Sequence, residues 1–76
     1  MNFDSTVCLE DVILIRETYR GRTDKGAVLV VYQDDQQWIP KSQIHPHSGI
    51  PWEPGERYLV ISRWIAGLKG WDYNVG

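Results

Sequence analysis

Apolar residues along this chain fall into short, mostly β-branched runs separated by polar stretches rich in Gly, Pro and Asp. That is strand patterning, and it lacks the i, i+3, i+4 recurrence of a long amphipathic helix. Thr6-Val7-Cys8-Leu9 and Val12 to Ile15 flank the acidic pair Glu10-Asp11, and read together they predict one long or bent first strand. From Glu17 to Gly26 the composition turns to Thr, Tyr, Gly, Asp and basic residues. This stretch predicts a loop of about eight to ten residues, with Gly21 and Gly26 free to take positive φ. Ala27 to Tyr32 is an unbroken, valine-rich run too short for an independent helix, and it predicts a central strand buried on both faces. Asp34-Asp35 then matches a two-residue hairpin, which sets Val31 opposite Trp38 and Val30 opposite Ile39. Pro40 ends the next strand or marks it as an edge, because proline has no N–H to give a neighbouring strand.

Pro46, Pro51 and Pro54 with Gly49 and Gly55 make residues 41–56 irregular, and Pro54-Gly55 reads as a turn. Arg57 to Ser62 alternates as a further strand, with Leu59 and Ile61 on one face and Tyr58 and Val60 on the other. Ser62 is placed to cap a short helix from Arg63 to Lys69, in which Trp64, Ile65 and Leu68 share a side and Gly70 stops the turn. The tail from Trp71 to Gly76 is expected to be loosely ordered unless Trp71 or Tyr73 docks on the body. The expected architecture is one small, mainly β domain over residues 1–76. It is a bent antiparallel sheet or a partly open SH3-like or OB-like barrel with one short C-terminal helix. The alternative is a flat antiparallel sheet with the helix packed across it.

Composition narrows the function more than the fold. The chain has 76 residues, 42% hydrophobic and 24% charged, which is globular rather than disordered. Its formal charge of -2 excludes coating nucleic acid by bulk charge, so any nucleic-acid site must be a local patch. The single Cys8 excludes an internal disulfide and multi-cysteine metal sites. No apolar run approaches the length of a membrane span, and Asp4, Glu10 and Asp11 stand where a signal peptide needs a basic start. The expected setting is the cytoplasm, without a membrane partner. There is no nucleophile elbow, phosphate-binding glycine loop or zinc-protease helix motif, so neither an enzyme nor a cofactor is expected.

Four Trp, four Tyr and one Phe are more large rings than so small a core can hold. Trp38 and Trp64, next to Ile39 and Ile65, are expected in the core, whereas Trp52 in the proline-rich loop and Trp71 in the tail are expected as surface anchors for a partner. A second feature is the basic loop, where Arg16, Arg20, Arg22 and Lys25 surround Tyr19 with only Glu17 and Asp24 opposing. Cations interleaved with an aromatic ring suit acidic groups or a single-stranded nucleic acid. His45 and His47 have no metal-specific spacing, and Cys8 in an apolar strand reads as a buried small hydrophobe.

Trp38-Ile39-Pro40-Lys41-Ser42-Gln43-Ile44, with Arg63-Trp64-Ile65-Ala66 and Lys69-Gly70 some twenty residues later, resembles a pattern in small uncharacterised proteins encoded by bacteriophages and prophages. The resemblance covers roughly residues 11–70 and implies a setting without implying an activity. It departs at His45 to Pro54, where an individual specificity would lie. Within the motif, packing explains every residue type except Lys41. The function expected is a non-catalytic protein-binding module, phage or mobile-element encoded, such as an inhibitor of a bacterial defence system of the anti-CRISPR kind. Its binding residues are expected to be Tyr19, Arg20, Arg22, Lys41, Trp52 and Trp71, acting on a host or phage protein as a monomer or small homo-oligomer. The alternative is a small-barrel nucleic-acid binder using Arg16, Tyr19, Arg20, Arg22, Lys25 and Lys41, and a third reading is an accessory in phage assembly.

Overall fold

The computed structural model describes residues 5–71. The first apolar stretch forms two strands rather than one. β1 (Thr6–Leu9) and β2 (Ile13–Glu17) are split at Asp11, whose φ of 58° turns the chain out of the extended region. Aspartate tolerates this left-handed conformation better than a β-branched residue does. The two halves then pair with different partners. β1 runs antiparallel to β5 (Leu59–Ser62), while β2 runs antiparallel to β3 (Ala27–Tyr32), which in turn pairs with β4 (Asp35–Pro40). The result is a two-stranded and a three-stranded sheet that strand pairing does not join into a closed barrel. One core lies between them, built from Val7, Leu9, Val28, Val30, Leu59 and Ile61 with their neighbours. The protein is mainly β with one short C-terminal helix, α1 (Arg63–Lys69).

β3 is central by order, but it is buried on one face only. Val28, Val30 and Tyr32 point into the core, and Ala27, Leu29 and Val31 between them stay half-buried. The hairpin after it turns at Gln33-Asp34, one residue earlier than the sequence predicts. Both residues have positive φ, 50° and 65°, the requirement of a two-residue turn whose twist matches the strands. Trp38 therefore lies opposite Leu29 and Ile39 opposite Val28. That is a slip of two positions, which leaves unchanged which faces of the two strands lie together.

The end of the chain follows local rules closely. Ser62 Oγ accepts from the Ile65 N–H at 3.2 Å and donates to Gln43 Oε1 at 2.6 Å. Gly70 takes φ 76° at the helix end, where a side chain would be strained. Ile65 and Ala66 are buried, but Trp64 and Leu68, which the sequence placed beside Ile65, face outward; Trp64 is 64% exposed. Gly55 supplies the positive φ of the Pro54-Gly55 turn. The proline-rich segment is irregular but tied down. Its His45 and Ile50 N–H groups donate to the carbonyls of Val60 and Tyr58, and buried Ser48 accepts from the Val60 N–H. No described helix is long and apolar enough to cross a membrane.

Candidate functional site

Residues 18–26 link β2 to β3, and their base is fixed before any partner is considered. Thr18 Oγ1 accepts from the Ala27 N–H at 2.8 Å, and Gly26 packs so closely on Thr18 that an added Cβ would clash with Oγ1. Beneath the loop lies Lys41, whose side chain is 0% exposed. Its Nζ donates to Glu17 Oε2 at 2.7 Å, to the Tyr19 carbonyl, and to the Gly21 carbonyl at 3.5 Å. An ammonium group has three protons, and all three are used. Lys41 is thus a buried clamp on the loop and presents no surface charge to a partner, contrary to its expected place in both candidate sites. Its residue type, unexplained by the strand motif, is explained by this clamp.

The clamp sets the loop against the proline-rich segment. Arg22 reaches across to donate to the Pro46 carbonyl at 3.2 Å and to Glu53 Oε1 at 3.1 Å. Its guanidinium carbon lies 5.6 Å from the centre of the Trp52 ring, and Lys41 Nζ lies 5.8 Å from it. The indole N–H donates to the His45 carbonyl at 3.0 Å. Cations at this distance are attracted by the indole face and help fix the ring. Between the two segments opens a cleft of about 450 Å³ lined by Arg22, Thr23, Lys41, Ile44, Pro46 and Trp52 among others. Its walls are mostly apolar carbon, and its lining includes both the Arg22 guanidinium and the Asp24 carboxylate, which suits an apolar peptide segment with polar flanks.

Two of the six expected binding residues, Arg22 and Trp52, therefore converge on one cleft, with Lys41 buried beneath it. Tyr19, 69% exposed, and exposed Arg20 and Lys25 belong to the loop that forms it, whereas exposed Arg16 lies on β2. Trp71 lies elsewhere. It is 3% exposed, stacks edge-on against Tyr32 and donates its indole N–H to Asp35 Oδ2 at 2.8 Å. The tryptophans have exchanged the expected roles, since Trp38, 42% exposed, and Trp64 lie on the surface and Trp71 in the core. For Trp38 the signal was present in the alternation, because Ile39 takes the inward position and its neighbour must face out. Ile44 and Pro46, which complete the cleft, and Glu53, which holds Arg22 beside it, carry no such signal. Tyr73, the other candidate for docking the tail, lies outside the described residues.

His45 and His47 stack edge-on at 5.2 Å, and His45 Nδ1 accepts from the His47 N–H. No group of three or more His, Cys, Asp or Glu able to hold a metal gathers among the described residues. Cys8 is exposed rather than buried, because Val7 and Leu9 take the inward positions of β1. Partial burial pushes its thiol up from the ordinary value, and the Glu10 carboxylate adds to the push. A raised pKa leaves less thiolate at a given pH, so iodoacetamide should label Cys8 more slowly than free cysteine near neutrality. The labelling midpoint should fall only partway in Glu10→Gln, since burial is the larger cause; a midpoint at or below that of free cysteine contradicts the assignment. Comparison with known protein families, with characterised proteins and with solved structures finds no match to this chain, so function must be argued from the site itself.

Proposed function

We propose that this chain is a non-catalytic protein-binding module that receives a segment of another protein in the cleft between the basic loop and the proline-rich segment. The observation that supports this reading is the pre-built cleft. Lys41 and Arg22 fix the two walls by hydrogen bonds to Glu17, Glu53 and main-chain carbonyls, so little ordering remains to oppose binding. Trp52 is the apolar anchor, and the loop that supplies one wall also carries exposed Tyr19, Arg20 and Lys25, whose charges favour the approach of an acidic partner. The sequence resemblance supports a phage or mobile-element origin and a cytoplasmic host target. An inhibitor of a bacterial defence complex, of the anti-CRISPR kind, fits that setting.

A second reading, binding of single-stranded nucleic acid, is favoured by one observation. The exposed Tyr19 ring is flanked along the chain by exposed Arg16, Arg20 and Lys25, although Lys41 is buried and Arg22 is engaged with Glu53. One experiment separates the two. In a pull-down from host lysate with nuclease and at high salt, the protein-binding reading expects a retained partner that Trp52→Ala and Arg20→Glu each release by at least about tenfold. Capture only of nuclease-sensitive material, falling steeply with salt, overturns it in favour of nucleic acid.

A further inference from the structure

The charges that line the Trp52 cleft are not equally matched. Both cations in the lining are already met from within the chain, Arg22 by Glu53 at 3.1 Å and Lys41 by Glu17 at 2.7 Å. Asp24 is the remaining charged residue of the lining. It is exposed, and no hydrogen bond or ion pair reaches its carboxylate among the described residues.

The uncharged polar groups narrow the choice of occupant further. Trp52 gives its indole N–H to the His45 carbonyl, so the ring offers a ligand only its carbon surface. Thr23 Oγ1 accepts from the Lys25 N–H at 3.1 Å, which leaves the hydroxyl proton free to donate. The half-buried Ser42 hydroxyl makes no hydrogen bond with a described residue. The cleft therefore combines an apolar wall of Ile44, Pro46 and Trp52 with two hydroxyl donors and one unmatched carboxylate. Hydroxyl donors suit the main-chain carbonyls of an extended segment. A carboxylate on that segment would meet Asp24 as a like charge and compete with Glu53 for Arg22, whereas a cation would give Asp24 its first partner.

We propose that the occupant of this cleft, on the reading that it receives a segment of another protein, is an extended segment that sets an aliphatic side chain on Trp52 and a lysine or arginine beside Asp24. Side chains two residues apart in an extended chain share one face, so an aliphatic-x-basic sequence supplies both contacts. Exposed Arg20 and Lys25 act over a longer range on the net charge of the partner, while Asp24 selects the residue that lands in the cleft. The two effects are compatible, because an acidic protein can present a locally basic segment. An exposed ion pair contributes modestly in water, so the preference is a factor of about five rather than orders of magnitude.

Three heptapeptides test the proposal, identical Gly-Ser sequences with Leu-Ser-Lys, Leu-Ser-Ala or Leu-Ser-Glu at the centre, each titrated into the full chain while NMR follows the Trp52 indole N–H. The lysine peptide should bind with a Kd of about 1 mM, about fivefold tighter than the alanine peptide, with the glutamate peptide weakest. Asp24→Lys should reverse that order, and the fold should survive it because Asp24 is exposed and makes no side-chain contact. Glu10→Lys makes the same change of charge in a different cavity, and should keep the order. Equal binding of the three peptides, tightest binding by the glutamate peptide, or a reversal by Glu10→Lys as well overturns the role of Asp24 and leaves the cleft as the binding site. No movement of the Trp52 indole resonance with any peptide at about 5 mM overturns the role of Asp24 and the cleft reading together.

Discussion

Lys41→Ala should destabilise the protein by about 3 kcal/mol, the lower end of what breaking a buried ion pair costs when one partner is removed. The lower end applies because the Glu17 side chain keeps about one-fifth of its exposure to water, so its stranded carboxylate is partly solvated. The Tyr19 and Gly21 carbonyls lose their donor at the same time, and the lysine stem leaves a void beside Trp52. Lys41→Met restores the stem and not the hydrogen bonds, and should cost about 2 kcal/mol. Against a total stability of about 5 kcal/mol for so small a domain, either change lowers the urea midpoint by a large fraction. Amide exchange should quicken first at residues 18–26, because the clamp holds that loop. A Lys41→Met protein as stable as the wild type would show that the buried ammonium contributes nothing net. The consequence for function is direct, because partner affinity should fall in these variants through a loosened cleft wall although Lys41 makes no surface contact.

The parts of this fold written locally in the sequence were legible there. Ser62 and Gly70 announce both ends of α1 through capping chemistry, and the alternation in residues 57–62 fixes which side chains of β5 face the core. Gln33-Asp34 was harder to read, because the turn position of Gln33 depends on how far β3 and β4 zip and glutamine gives no turn signal of its own. Asp11 hid a chain reversal inside an apolar stretch, which is why two strands in different sheets read as one. Long-range packing was not legible. Trp71 is buried because Tyr32 and Asp35 receive it, and Trp64 is exposed because Ile65 and Ala66 fill the inward face of a two-turn helix. In the candidate site, residue type singled out Arg22, Lys41 and Trp52. Their meeting depends on the Pro46 carbonyl, Glu17 and Glu53, whose contributions exist only once the chain is folded.

Trp71→Ala should be the more damaging substitution, at about 3 to 5 kcal/mol for removing a fully packed indole. The ring closes the core beside the β3–β4 hairpin, where its edge meets Tyr32 at 5.5 Å between ring centres. Its main-chain N–H also donates to the Ala66 carbonyl at 2.8 Å, so the residue completes the end of α1 as well. Losses of that size equal most of the stability of a domain this small, and the variant should be largely unfolded at 37 °C by near-ultraviolet circular dichroism. Trp71→Phe separates the contributions. It keeps most of the apolar bulk and gives up only the hydrogen bond to Asp35 Oδ2, so about 1 to 2 kcal/mol should be lost and the fold retained. Asp35→Asn keeps an acceptor for the indole and should cost less than Trp71→Phe. If Trp71→Ala melted within a few degrees of the wild type, the last described residue would be a surface anchor after all, as its place in the sequence had implied. Stability and partner capture measured on the same variant decide between the two roles, because a core residue lowers both together and an anchor lowers only capture.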